Sequence, residues 1–334
     1  MENTKEKEKE NEILELLKHE KSLTQVCEAL QMDDYEVLGL IKKIKDEGSN
    51  IVVNLKDDDI YMMNRGDNGL EDNKPYEFHT DKNHEFKFVA ISDTRFGSKY
   101  QQLSILNDIY EKAEELGYKN VFLCGNISNG LYNISDVYGE TSFLDDTQRQ
   151  IDYILENYPK VEGIKTYLVN GRTDSKHLNK NLTSIGKKLA EGRDDFIYLG
   201  NVSANVQIDK TFMQILAASL GKTYTVSYRA QQQIDSYRSE DKPDILLIGG
   251  YLQMEKFTYR GVSCISVPSV CATTRKMNDK RYANVVGAWY VTVKTDEKGK
   301  LLSVNAMNSP YYVTNKDDYK TAKVLKKGDV SNDK

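Results

Sequence analysis

Apolar residues recur at helical spacing in three successive windows near the start of the chain. Ile13, Leu14, Leu16 and Leu17 mark a first helix, Val26, Ala29 and Leu30 a second, and Val37, Leu38, Leu40, Ile41 and Ile44 a third. Ser22 is placed to cap the second helix and Asp33 or Asp34 the third, which is expected to end at Gly48. IVVNL and IYMM then flank Lys56-Asp57-Asp58-Asp59, a hairpin with a polar turn. Residues 10–64 are thus expected to form one small unit, after a solvated, disordered start over 1–9.

Residues 65–85 are polar and aperiodic and read as a linker. From Phe86 the pattern changes. FKFVAIS, NVFLCG, IKTYLVNG, DFIYLG and DILLIGG are short apolar runs of buried-strand type, separated by helical patterns at 100–116, 146–157 and around 227–238. Such alternation predicts an α/β domain with a largely parallel sheet and helices on its faces. From 256 onward strands dominate, notably VSCISV and AWYVTVK, and a second sheet packed on the first accommodates them. This larger domain is expected over 86–313, followed by a Lys- and Asp-rich mobile tail over 314–334.

A length of 334 residues suits two domains. No apolar run approaches the ~20 residues that span a bilayer, and MENTKEKEKENE lacks the apolar stretch of a secretory signal. Cys27, Cys124, Cys264 and Cys271 are widely spaced and form no CxxC pair, so reduced, mostly buried thiols in a cytoplasmic protein are expected, with no membrane association. The net charge of −5 argues against a generally basic surface for nucleic acid.

Helix, helix, helix and hairpin in that order resemble a winged helix-turn-helix domain over residues 10–64. The resemblance implies DNA binding, with the third helix in the major groove. The charge pattern fits this poorly: positions 1–60 hold nine lysines, no arginine and sixteen acidic residues, and only Lys42, Lys43 and Lys45 cluster as possible nucleic-acid contacts. Protein contact or dimerisation stands level with DNA binding for this segment.

Four strand ends of the larger domain carry short polar signatures. These are Asp93-Thr94-Arg95, Gly125-Asn126-Ile127-Ser128-Asn129-Gly130, Gly171-Arg172-Thr173-Asp174 and Gly249-Gly250-Tyr251-Leu252. In α/β proteins chemistry gathers where loops leave the carboxyl ends of strands. The order and spacing of these signatures resemble the calcineurin-like metallophosphoesterases, a superfamily that includes phosphodiesterases and nucleases, from about Phe86 to Val293. The resemblance implies a four-layer α+β arrangement, a β-sandwich flanked by helices, and a site where two metals activate water for attack on phosphorus.

Carried over residue by residue, the resemblance implies a degenerate site. Asp93 falls on the first metal ligand, but Arg95 stands in the place of its partner His. Asn126 replaces the bridging Asp, Arg172 and Thr173 replace an Asn and a His, and Asp174 is retained. Ala217 falls where a lone His belongs, and Gly250 and Leu252 where two more do. The chain has only His19, His79, His84 and His177, of which only His177 lies near a signature, where a surface loop position is the ordinary reading. No metal cofactor is therefore expected. Arg95 is expected to pair with Asp93 and Arg172 with Asp174, because an uncompensated buried charge is costly; the alternative is that the arginines point into solvent and the pocket holds water.

The function expected is a catalytically inactive binding or regulatory module, with DNA association through its winged helix one of the two roles open to that segment. Arg95 and Arg172 are candidates to contact a phosphate-containing ligand in the cleft. An active metal-dependent phosphoesterase or nuclease with unusual ligands is one alternative, and a protein-docking or dimerisation module with no nucleic-acid role is another. Tyr132, Tyr138, Tyr251 and Tyr259 offer rings that stack on bases, but with 22 tyrosines packing is their ordinary use.

Overall fold

The structure, a computed structural model, describes residues 2–17, 21–46, 51–56, 59–64, 75–132, 142–218, 225, 227–239 and 241–322. It divides into two compact units, Met1–Asn73 and Lys74–Lys334.

The small unit runs α1 (Glu2–Leu16), β1 (Lys21–Ser22), α2 (Leu23–Leu30), α3 (Asp34–Asp46), β2 (Ile51–Lys56) and β3 (Asp59–Asn64). Its three strands lie in the order β1-β3-β2, with β3 antiparallel to both neighbours. Ser22 caps α2: its Oγ accepts from Gln25 N at 3.2 Å, and Gln25 Oε1 accepts from Ser22 N at 3.1 Å. At α3, Asp33 Oδ1 accepts from Glu36 N at 2.8 Å. Ile13, Leu17, Val26, Val37, Ile41 and Ile44 meet Ile51 and Met62 in the core. Leu38, expected in that core, is exposed instead, beside Tyr35 at 90% exposure. The disordered start is corrected too, since α1 begins at Glu2; Glu and Lys are good helix formers and extend the helix beyond its apolar stripe. The helix end at Gly48 and the turn residues Asp57 and Asp58 lie outside the described residues.

The large unit continues with β4 (Tyr76–Phe78), β5 (Glu85–Ile91), α4 (Leu103–Glu115), β6 (Asn120–Cys124), α5 (Thr147–Asn157), β7 (Lys165–Asn170), α6 (Ser175–Asn181), α7 (Ile185–Gly192) and β8 (Phe196–Asn201). Then come β9 (Ser203–Ile208), β10 (Thr211–Ala217), α8 (Tyr228–Ser236), β11 (Ile245–Gly249), β12 (Glu255–Tyr259), β13 (Val262–Ser266), α9 (Arg275–Asp279), β14 (Gly287–Thr295) and β15 (Leu301–Pro310). They build two mixed six-stranded sheets, ordered β15-β14-β5-β6-β7-β8 and β12-β13-β11-β10-β9-β4. The run β5-β6-β7-β8 is parallel throughout, as is β10-β11-β13.

The two-residue period of the strands explains the layering. Phe88, Phe122, Tyr167 and Val291 of the first sheet face Met213, Ile215 and Leu247 of the second across one core. The alternate residues Val89, Leu123, Leu168 and Tyr290 pack outward with residues of α4, α5 and α7. On the far side Leu246 and Ile248 pack with Ala230 and Ile234 of α8. The unit is therefore a four-layer α/β/β/α arrangement, a sandwich of mixed sheets flanked by helices.

Two expected boundaries move. Of the residues expected as a linker, 65–85, those from 76 on belong to the large unit: β4 pairs in parallel with β9, and Phe78 is buried against Phe86, Phe122 and Tyr167. Residues 65–74 lie outside the described residues. The tail expected from 314 is fixed at its start: Asn315 N donates to Gln102 Oε1 at 2.7 Å and Gln102 Nε2 donates back to Asn315 O at 2.9 Å. Asp318 Oδ2 accepts from Ser104 N at 2.8 Å and so caps α4, whose own N-cap residue makes no side-chain cap bond. Tyr319 and Ala322 are buried in the core. Residues 323–334 lie outside the described residues. Among the described residues no helix is long and apolar enough to cross a membrane.

Candidate functional site: a cationic cleft at the strand ends

The carboxyl ends of β5, β6, β7, β10 and β11 approach one another so closely that only glycine fits at several positions. A Cβ on Gly125 would stand 2.5 Å from the Ala217 methyl, and one on Gly171 would stand 2.5 Å from both Asn126 N and Oδ1. A Cβ on Gly249 would overlap the Cys124 carbonyl oxygen. Asp93, Arg95, Asn126 and Leu252 all adopt positive φ, between 48° and 60°. That region is rare for side chains other than glycine, and its clustering marks a functional or strained site.

Asp93 is fully buried and holds the centre of the cluster. Its Oδ1 accepts from Arg95 Nε at 3.0 Å, from Arg95 Nη2 at 2.7 Å and from Asn126 Nδ2 at 3.1 Å, while Oδ2 accepts from Ser92 Oγ at 2.9 Å. Only 10% of the Arg95 side chain is exposed. Burial opposes its charge, but the adjacent Asp93 carboxylate holds the guanidinium above its ordinary pKa. Asn126 Oδ1 accepts from Thr173 N at 3.0 Å and Thr173 Oγ1 at 2.9 Å, which fixes the amide with its NH2 group toward Asp93.

Arg172 does not pair with Asp174, contrary to expectation. Asp174 Oδ1 accepts from Ser128 N at 2.8 Å and Ser128 Oγ at 2.7 Å, and Oδ2 from Gly171 N at 2.7 Å and Ile127 N at 3.2 Å. These neutral donors suffice to satisfy both oxygens, and Arg172 is left exposed. Burial raises the pKa of Asp174, and the four hydrogen bonds oppose the shift. His177, expected on a surface loop, is fully buried on α6 with Nδ1 2.9 Å from Thr147 Oγ1. Burial and the nearby Lys176 lower its pKa to about 4.

Above the Asp93–Arg95 pair lies a cavity of about 140 Å³. Arg95, Arg172, Lys176 and Lys276 line it, together with Asn126, Thr173, Thr274, Tyr132 and Tyr282, and no Asp or Glu does so among the described residues. Lys176 Nζ stands 3.5 Å from the centroid of the Tyr132 ring. Lys176, Lys276 and Thr274 were not singled out from sequence. Lys176 follows the third signature by two residues, which is a usable signal, whereas Lys276 reaches the cleft from α9, remote in sequence. Ala217, Gly250 and Leu252 are buried, and none of them lines the cavity. Tyr251 and Tyr259 pack beside α8, and Tyr138 lies outside the described residues. Lys42, Lys43 and Lys45 belong to the small unit, where Lys43 Nζ pairs with the buried Glu10 at 2.9 Å.

The residues present do not fit the two divalent metals that the resemblance implies. Asp93 is engaged by a guanidinium, Asp174 has both oxygens occupied by four donors, and Asn126 turns its amide NH2 inward. A guanidinium cannot be deprotonated and repels a cation. Among the described residues no group of three or more His, Cys, Asp and Glu side chains is arranged to hold a metal.

No protein-family model matches the chain, and no curated protein does. Among solved structures it is similar to an archaeal phosphodiesterase at 12% identity and TM-score 0.39, over 67% of this chain and 100% of the other. A conserved uncharacterized Streptococcus pneumoniae protein, described as a predicted phosphoesterase, matches at 11% identity and TM-score 0.31, over 67% and 98% of the two chains. Vps29 of Chaetomium thermophilum matches at 12% identity and TM-score 0.32, over 68% and 98%.

Proposed function

We propose that the large unit is a phosphoesterase-like domain without metal-dependent catalysis, acting as a binding or regulatory module. The observation that carries this reading is the seat of Arg95 on Asp93. The carboxylate that would be the first metal ligand is neutralised by an internal cation that stays protonated at any working pH. A two-metal mechanism needs bound cations to generate hydroxide and to clamp phosphoryl oxygens. The test is metal content of the purified protein together with hydrolysis of bis-p-nitrophenyl phosphate, with manganese added and withheld. No stoichiometric metal and no manganese-dependent turnover is the expected result. Bound metal, with turnover abolished by Asp93→Ala, would establish a working phosphoesterase with unusual ligands and end this reading.

For the small unit we propose a winged helix-turn-helix module that docks on protein rather than reading DNA. The order of three helices and three strands supports the first part. The second rests on charge and exposure: Lys43 is tied to Glu10, and α3 presents Tyr35 and Leu38 outward, where phosphate contacts would need cations. Salt-dependent binding to duplex DNA in a mobility-shift assay would overturn the preference.

A further inference from the structure

The longest edge of the sandwich lacks the devices that keep strand edges apart. β15 closes the first sheet on one side and, among the described residues, pairs only with β14. Its ten residues, Leu301–Pro310, carry no charged side chain. Leu302 is 67% and Met307 45% exposed on it. Edge strands of natural proteins are ordinarily shortened, charged or covered, because their unpaired N–H and C=O groups are a template for a further strand. We infer that β15 pairs antiparallel with β15 of a second copy of this chain, about a two-fold axis at Ala306.

The backbone fixes which groups are on offer. Just past the end of β15, Tyr311 N donates to Val286 O at 2.8 Å. By the alternation of an antiparallel ladder, the odd-numbered residues of β15 therefore turn their N–H and C=O groups to β14, and Val304, Ala306 and Asn308 turn theirs outward. Two observations agree: Val304 O accepts from Lys256 Nζ at 2.6 Å, and Pro310, which has no N–H to give, falls on the outward side. Lys256 is exposed and can swing aside.

Both ends of the flat stretch are marked. The register with β14 shifts between Lys294 and Thr295, which leaves Leu302 bulged, and Pro310 closes the other end. Bulges and prolines terminate pairing. Between them lies Ser303–Ser309, with Ala306 at its middle. An antiparallel pair centred there sets Val304 of one copy against Asn308 of the other and Ala306 against itself, so the outward groups of all three find counterparts. That self-complementarity, with no charge on the strand to select a foreign sequence, assigns the place to the chain's own strand.

Size sets the strength. Lys256 belongs to β12, the edge of the second sheet, so both sheets end on this side. At about 3.4 Å per residue and about 10 Å of depth per sheet, the ten residues of β15 and the five of β12 offer roughly 500 Å² per copy. A total near 1,000 Å² is about the least that a specific interface buries, so a reversible dimer of micromolar affinity is expected.

The test is sedimentation velocity of the full chain over a concentration series from submicromolar upward, where a monomer–dimer equilibrium is expected. Ala306→Pro removes an outward N–H at the axis and no bond to β14. Met307→Lys brings two ammonium groups to diagonal positions across the axis. Each should weaken the dimer by about tenfold or more. Met307 is exposed, so its replacement keeps the fold even where the proline does not; buried Trp289, adjacent to β15 on β14, reports folding of both variants. A monomer at every concentration, open-ended assembly in place of a closed dimer, or a dimer indifferent to Met307→Lys would overturn the inference, the last because another face would then hold the copies together.

Discussion

Arg95→Ala isolates the ion pair at the centre of the cleft. The substitution leaves the Asp93 carboxylate, fully buried, with only the neutral donors Ser92 Oγ and Asn126 Nδ2. Breaking a buried pair from one side costs about 3–5 kcal/mol, because the surviving charge keeps its desolvation penalty and loses its compensation. No discount for solvent screening applies, since the pair is almost wholly out of water. Backbone strain cancels from the comparison: residue 95 sits at φ 48°, where Ala is as strained as Arg. For a unit of this size the loss corresponds to a midpoint lowered by roughly 6–20 °C. Trp289 is the chain's single tryptophan, buried on β14 with Nε1 donating to Ser266 O at 3.0 Å, so its fluorescence follows unfolding of the large unit without interference from the small one. The double variant Asp93→Asn/Arg95→Met removes both charges and is expected to recover most of the loss. An unchanged midpoint for Arg95→Ala, or an equal deficit in the double variant, would refute the reasoning.

Three further outcomes are expected. His177 has a folded pKa near 4 against 6.5 unfolded, so the native state stays neutral while the unfolded chain gains a proton; its stabilising contribution is complete above pH 6.5 and is lost as pH falls towards 4, by roughly 3 kcal/mol. His177→Gln should flatten that part of the stability–pH curve, and an unaltered slope in urea titrations would count against the burial argument. Gly249→Ala sets a methyl group on the Cys124 carbonyl and should cost about 3 kcal/mol or more, read as lost soluble yield or a lowered Trp289 midpoint. Asp318→Ala removes the cap that the C-terminal segment lends to α4, for a loss of about 1 kcal/mol, seen as a midpoint lowered by about 2–4 °C.

The central strands were legible because residues buried on both faces leave continuous apolar runs. ILLI of β11 sends Ile245 and Leu247 to one core and Leu246 and Ile248 to the other, and no polar residue interrupts it. Shorter pieces were not legible, for physical reasons. β4 contributes a single buried aromatic, too little for a period, and its place depends on pairing with a strand more than a hundred residues away. Asp318 and Gln102 act through partners over two hundred positions distant, so a Lys- and Asp-rich segment that reads as solvated is in fact pinned to α4. At the cleft, convergence of the signatures followed from strand order, but the partner of each charge did not. Asp174 and Arg172 are two residues apart, yet the backbone of β6's loop reaches Asp174 first and satisfies it with neutral donors. Hydrogen bonding from backbone groups outcompetes a salt bridge when the loop already points its N–H groups inward.

The backbone of the cleft is strained where its polar network lies. Three side-chain-bearing residues hold positive φ within one hydrogen-bonded cluster, Asp93, Arg95 and Asn126, and each such placement costs on the order of 1–3 kcal/mol unless its surroundings over-determine it. A core needing only to pack is better served by residues in relaxed conformations. Here the strain is held by a polar network in which Asp93, Asn126 and Thr173 fix one another, and that network presents Arg95 to a cavity rather than hiding it. The two strained residues that line the cavity, Arg95 and Asn126, are therefore held there by hydrogen bonds and not by packing alone.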